Sequence, residues 1–237
     1  MQRKLSADQG SAFYHDEFVH QQVVHFTRIA VPEIERDRIV VDMGGGCGFF
    51  ASTLKNSMKI PTRVIDMDPV SIESAKLKGV EAIVGDAVHP IRNGDEGCAC
   101  FNLILHHLVG SSEKETLNLQ SCALISWRDD GIKIFINEYI YESWLLNFSG
   151  WLIYQITKSK LLSAVGKFVS KFAPSLKANT FGVGVRFRSN NEWKDIFANA
   201  GFSIANEIRG EKEFVSLPRK FLLIKEIRRD SFLLVSN

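Results

Sequence analysis

Residues 40–50 read VVDMGGGCGFF, four glycines within five positions directly behind a β-branched run that ends in an aspartate. Between a strand and a helix, glycine permits a sharp turn and lets a ligand approach the main chain. One or two glycines suffice for a turn, so the cluster points to a ligand. Two ligand classes use this geometry. Gly46–Ala51, GCGFFA, satisfies the permissive dinucleotide pattern G-x-G-x-x-A, while Asp42, Gly44, Gly46 and Gly48 form D-x-G-x-G-x-G. Asp66 closes the apolar run TRVID 22 residues after Gly44, where a carboxylate can accept both ribose hydroxyl protons in either class. Asp86 ends a third such run, VEAIVGD. Asp68 precedes Pro69 and suits a helix cap; Met67 either packs on a flat ligand or fills the core.

Groups able to move a proton lie further along. His106 and His107, in ILHHLVG, follow a fourth apolar run. Adjacent residues leaving a strand point in opposite directions, so at most one of the two faces the site. His106 is the preferred candidate base for an acceptor hydroxyl or ammonium, against a histidine bonded to a loop. Glu138, at the end of a fifth run, either touches substrate or caps a turn. Arg186 and Arg188 either grip an anionic acceptor or form a solvated edge. The histidine pair with Cys98 and Cys100 lacks the spacing of a ligand quartet, so no metal is expected. Tyr154 and Lys158 have the Y-x-x-x-K spacing of an oxidoreductase pair.

These residues need a sheet to hold them. EFVHQQVVHFTRIA carries a helical stripe. RIVVDM, TRVID, VEAIVGD, FNLIL and GIKIFINEY then read as strands, and FFASTLKNS, PVSIESAKLKG and EKETLNLQSCALISW as helices between them. This alternation predicts a parallel sheet with helices on both faces. Residues 140–175 exceed any ordinary connection and hold two helical stripes, the first with Trp144, Phe148, Trp151 and Tyr154. SNNEWKDIFANAGF resumes the order as a helix, followed by strands FSIANEI and KFLLIKEI. The prediction is an α/β, doubly wound, mostly parallel seven-stranded sheet with a helical insertion between strands five and six. Residues 1–237 form one domain, with 140–188 covering the acceptor site.

A chain of 237 residues with 45% hydrophobic content fits one large core. The net charge of +2 sets up no field for a polyanion, so nucleic acid is not expected as a partner. No apolar run reaches the length of a membrane span. Lysines flank the aromatic stripes, which leaves surface contact with a membrane through 143–177 as an alternative to a pocket cover or plain core. Four cysteines without framework spacing point to a reducing, cytoplasmic setting. Oligomeric state stays open.

The D-x-G-x-G-x-G loop, the acids at three successive strand ends and the closing helix with its strand pair resemble the class I, Rossmann-like S-adenosylmethionine-dependent methyltransferases. FNLIL looks like that family's fourth-strand pattern, with Asn102 replacing the usual aspartate. The resemblance implies S-adenosylmethionine as cofactor. It implies Asp42, Gly44, Gly46 and Gly48 around the methionine part, and Asp66 on the ribose with Met67 beside the adenine. Asp86 and Ala87 would bind the adenine amino group, Leu105 would line the site, and Tyr14 would close it. The expected activity is methyl transfer to O or N of a small, apolar or aromatic acceptor. Two alternatives stand: a protein of this fold that binds the cofactor without methylating, and an NAD(P)-dependent oxidoreductase.

Overall fold

The β-branched run at Ile39–Met43 forms strand β1 and the glycine cluster turns it into helix α2, Phe49–Met58. The computed structural model describes residues 18–129, 131–169 and 183–237. Helix α1 (Val19–Ile29) precedes β1. After α2 come β2 (Thr62–Asp66), α3 (Pro69–Leu77), β3 (Glu81–Val84), β4 (Glu96–Asn102), α4 (Glu113–Ile125) and β5 (Lys133–Ser143). Helices α5 (Phe148–Lys158) and α6 (Lys160–Val169) form the insertion. Then follow α7 (Asn190–Asn199), β6 (Phe202–Ile208), the short α8 (Leu217–Lys220) and β7 (Ile224–Ser236). The sheet order is β3-β2-β1-β4-β5-β7-β6. The first five strands pair in parallel, and β7 runs antiparallel between β5 and β6. The predicted doubly wound, seven-stranded architecture with its insertion is therefore the one adopted.

Strands buried on both faces must be apolar throughout, and alternate residues of β1 serve opposite layers. Val41 and Met43 join Phe101, Trp127, Trp193 and Phe197 on the α4/α7 side. Val40 joins Phe26, Phe50, Leu54 and Phe135 on the α1/α2 side. Phe26 meets Phe50 and Phe135 edge to face at 5.6 and 5.2 Å. Each such ring buried contributes about 2–3 kcal/mol, enough to fix α1 and α2 against the sheet. The order reverses between β1 and β4, and ligands of open α/β sheets bind outside the carboxyl ends of the strands at such a point.

Two strands differ from their expected positions. FNLIL predicts a strand over 101–105, whereas β4 is Glu96–Asn102 and ends where Leu103 takes a positive φ of 55°. Small residues hid it: Gly97 lies against Arg38, and Ala99 with Cys98 and Cys100 is wholly buried. KFLLIKEI predicts the last strand over 220–227, whereas β7 runs from Ile224 to Ser236. Its charged centre is compatible with a strand because Arg228 donates to Asp230, Glu226 and Glu142 at 2.9, 2.6 and 3.1 Å. Strand β5 also continues to Ser143, pairing there with β7, and so lifts Tyr139 and Tyr141 toward the site. Among the described residues no helix is long and apolar enough to cross a membrane.

Candidate functional site

The glycine loop continues the β1 ladder through the Gly44 N–H, which donates to the Ile65 carbonyl at 2.7 Å, and then closes on itself from Gly48 N to Gly45 O at 2.9 Å. Gly44, Gly46 and Gly48 have φ of 64°, 53° and 72°, a region that side chains disfavour. A Cβ on Gly44 would lie 1.9 Å from Ile104 Cδ1, one on Gly45 2.3 Å from an Asp42 oxygen, and one on Gly48 2.9 Å from Ala75 Cβ. Only open space surrounds that position at Gly46, with nothing within 4 Å. Three of the four glycines are thus required by the protein's own packing. Gly46 is the one whose missing side chain leaves the crevice clear.

The strand-end acids organise this loop. Asp66 accepts from the Gly46 N–H at 2.9 Å through one oxygen and from the Asp68 N–H at 2.8 Å through the other. Burial raises its pKa, with these hydrogen bonds opposing the rise. Asp68 caps α3, accepting from Val70 N, Ser71 N and Ser71 Oγ. Asp42 is buried and accepts from Asn102 Nδ2 at 3.2 Å. Burial pushes its carboxyl up to about 7, the Asn102 bond opposing and the Asp66 charge adding. Asn102 Oδ1 is buried without a hydrogen-bond partner.

The third tip is tied to the second by Gly85 N, which donates to Asp66 O at 2.9 Å. Beyond it Asp86 accepts from Val88 N at 2.9 Å, and Ala87 is buried. Met67 is partly exposed between Asp66 and Asp68. Leu105 is wholly buried; its N–H goes to Glu138 Oε1 at 2.7 Å and its carbonyl accepts from Gln120 at 3.0 Å. Tyr14 lies outside the described residues.

Across the switch point, the two candidate proton carriers meet. His106 Nδ1 lies 2.7 Å from Glu138 Oε2, both groups buried. Glu138 also accepts from the backbone of Leu105 and Tyr139, at 2.7 and 3.1 Å. Nδ1 faces the carboxylate, so Nε2 is the ring nitrogen left for a further partner. The two histidines do not diverge as a strand would require. They belong to a 3₁₀ turn, Leu105–His107, and their rings lie 4.2 Å apart. Desolvation, with the His106 neighbour adding, holds His107 well below the usual histidine range.

Four rings stack into a column: Tyr141 on Phe187 at 4.1 Å, Phe187 on His106 at 4.9 Å, and His106 on His107. Tyr139 stands edge-on to three of them, 5.9 Å from both His106 and Phe187. Tyr139 and Tyr141 were legible as an i, i+2 pair on one strand face, in NEYIYES. Phe187 and Phe18, which meets Tyr139 at 6.2 Å, carry no local signal.

Two readings change. Arg186 and Arg188 are neither solvated nor free for a ligand: both are buried, and they pair with Glu113 and Glu192, joining α4 to α7. Tyr154 and Lys158 serve packing. The buried tyrosine hydroxyl donates to Gly110 O at 3.0 Å and the lysine to Ser111 O at 3.1 Å, which docks α5 on the loop before α4. In the insertion's first stripe, Trp144 is 67% exposed, and Phe148 and Trp151 form an exposed pair 5.1 Å apart.

No family model matches this sequence, and no curated protein is similar to it by sequence. Solved structures are similar in fold. A S-adenosylmethionine-dependent methyltransferase from Thiobacillus denitrificans, bound to S-adenosyl-L-homocysteine, is 15% identical with a TM-score of 0.55, all of each chain covered. The magnesium protoporphyrin IX methyltransferase of Synechocystis is 14% identical with a TM-score of 0.55, over 94% of this chain and 83% of that one. Geranyl diphosphate C-methyltransferase of Streptomyces coelicolor is 9% identical with a TM-score of 0.58, over 100% and 89%. The chain has the class I methyltransferase fold.

Proposed function

We propose that this protein is a S-adenosylmethionine-dependent methyltransferase acting on O or N of a small-molecule acceptor. The observation that carries the reading is the crevice edge at β1 and β2. There Asp66 holds the Gly46 main chain in the open, and the unpartnered Asn102 Oδ1 stands next to Asp42. An orphan acceptor beside a buried acid suits an ammonium group such as the cofactor's amino acid end. Asp66 and Asp86, at the next two strand tips, suit ribose hydroxyls and an adenine amino group. Met67, Ala87 and Leu105 would line the same space, with Tyr14 closing it.

When bound, the cofactor supplies a methyl group already activated on a sulfonium. What remains for the chain is positioning, desolvation and, for a protonated acceptor, a base. His106 Nε2 takes the acceptor proton while Glu138 holds Nδ1–H and stabilises the charge that appears on the ring. The ring column forms an apolar wall along which an acceptor lies. Tyr141 and Phe187, at the two ends of the insertion, are two of its members, and the insertion's described residues would cover the acceptor. That two solved proteins of the same fold are named for small-molecule substrates supports this acceptor class.

The test is incubation of the purified chain with S-adenosylmethionine and a panel of hydroxylated and aminated aromatic compounds. Formation of a methylated product with equimolar S-adenosylhomocysteine is expected. Cofactor binding with no transfer to any O or N acceptor would instead favour a protein that retains the cofactor for another purpose.

A further inference from the structure

Arg229 lies on β7 directly opposite Tyr139 of β5, so the two side chains leave the same face of the sheet. Its guanidinium lies 4.0 Å from the Phe18 ring centre and 5.9 Å from that of Tyr139. Nε and Nη1 are buried and make no hydrogen bond. Glu213 approaches Nε at 3.4 Å with its side chain 33% exposed, a glancing ion pair at the limit of hydrogen-bond distance. Arg63 and Arg228 are built differently. Arg63 donates to Glu81, Asp95 and Glu96, and Arg228 to Glu142, Glu226 and Asp230.

Burying a cation is costly unless its donors find acceptors. Aromatic faces stabilise the charge but leave the N–H groups of Arg229 unmet. The positive charge reaches further, because it is the second cause, after burial, that lowers the pKa of His25. Tyr139 connects this cation to the proton-accepting end of the crevice, since the same ring stands 5.9 Å from His106 and from Phe187. A molecule lying along the ring column with its nucleophile at His106 can send a substituent past Tyr139 to Arg229.

We propose that Arg229 is the anion-recognition residue of the acceptor site, and that the acceptor joins an apolar body to an oxyanion, a carboxylate or a phosphate. The proposal rests on the methyltransferase reading for the placement of the acceptor, and on the unmet donors of Arg229 for its charge. An oxyanion there completes the two missing hydrogen bonds and strengthens with desolvation.

The experiment titrates benzoate and phenyl phosphate, with benzamide and phenol as neutral counterparts, into the full chain saturated with S-adenosylhomocysteine, read by ligand-observed NMR. At least one anion is expected to bind roughly tenfold or more tightly than its neutral counterpart, the change of a charge-assisted bond. Preference confined to benzoate assigns a carboxylate acceptor, and preference confined to phenyl phosphate a phosphate. Arg229→Gln brings the ratio near one and Arg229→Lys retains part of it, while the melting temperature and the response to S-adenosylhomocysteine stay as in wild type. Equal binding of anion and neutral compound by wild type, or an anion preference that survives Arg229→Gln, overturns the proposal. Absence of S-adenosylhomocysteine binding alongside an Arg229-dependent anion preference would sink the methyltransferase reading and leave the anion site standing.

Discussion

At the tips of β1, β2 and β3 the candidate binding groups are main chain and short acids, all drawn from residues 42 to 87. Beside β4, β5 and β7 they are long side chains, Phe18, His106, Tyr139, Phe187 and Arg229, drawn from across the chain. The first region holds its groups by glycine turns and local hydrogen bonds, as Asp66 holds Gly46. The second holds them by ring packing and by one buried carboxylate, Glu138. A cradle of backbone tolerates almost no substitution but has little chemistry of its own. A wall of side chains can change its substrate by exchanging a residue or two.

The largest expected effect tests the backbone side. Gly44→Ala forces a Cβ into Ile104 at 1.9 Å with φ at 64°, so overpacking and strain together cost about 2–5 kcal/mol, read as a lower urea midpoint. Gly46→Ala meets only open space and costs about 1 kcal/mol of strain, yet it obstructs the crevice and weakens S-adenosylhomocysteine binding. Equal stability losses in the two variants would break the distinction between packed and ligand-facing glycines.

Next in size is a pH effect at Asp42, whose carboxyl rises from an ordinary 3.8 to about 7 on folding. The folded state holds this proton more tightly than the unfolded chain does. Stability from this group is therefore full below the unfolded value and is lost as pH rises through about 7, roughly 4 kcal/mol in all. Urea midpoints measured from pH 4 to 8 should show that slope, and Asp42→Asn should flatten it. An ammonium bound beside Asp42 favours the ionised form, so S-adenosylhomocysteine binding near pH 7 should release a proton, visible as buffer-dependent binding heat.

On the side-chain half, His106→Ala should lower kcat about a hundredfold with cofactor affinity unchanged, and Glu138→Gln should shift the pH profile of kcat because Nδ1–H loses its charged partner. An unchanged profile would make the pair structural. Smallest is Tyr154→Phe, which removes the bond to Gly110 O and costs about 1 kcal/mol of stability. A nicotinamide-linked reaction that disappeared in this variant would contradict the packing role.

How much could be read in advance follows the same division. Asp42, the glycines, Asp66 and the Asp68 cap were visible because local geometry dictates residue type at adjoining positions. The pairing of His106 with Glu138 was not, because it joins residues 32 apart in sequence, and the turn that brings the two histidine rings together carries no local signal. Arg186 and Arg188 looked available because nothing in FGVGVRFRS shows the carboxylates of α4 and α7 that claim them. Arg229 was hidden inside a charged strand whose neighbouring charges, on the opposite face, neutralise one another. Small buried residues in β4 and paired charges in β7 likewise blurred two strand positions without altering the topology.

The central claim is that the Gly46 main chain and Asp66 bind the adenosyl amino acid. Titration calorimetry of the purified chain with S-adenosylhomocysteine tests it most directly. The account predicts one site per chain and a loss of about a hundredfold or more in affinity for Asp66→Ala, where two hydrogen bonds to a charged acceptor disappear. No binding by wild type, affinity untouched by Asp66→Ala, or a reduced nicotinamide cofactor binding in its place would contradict it.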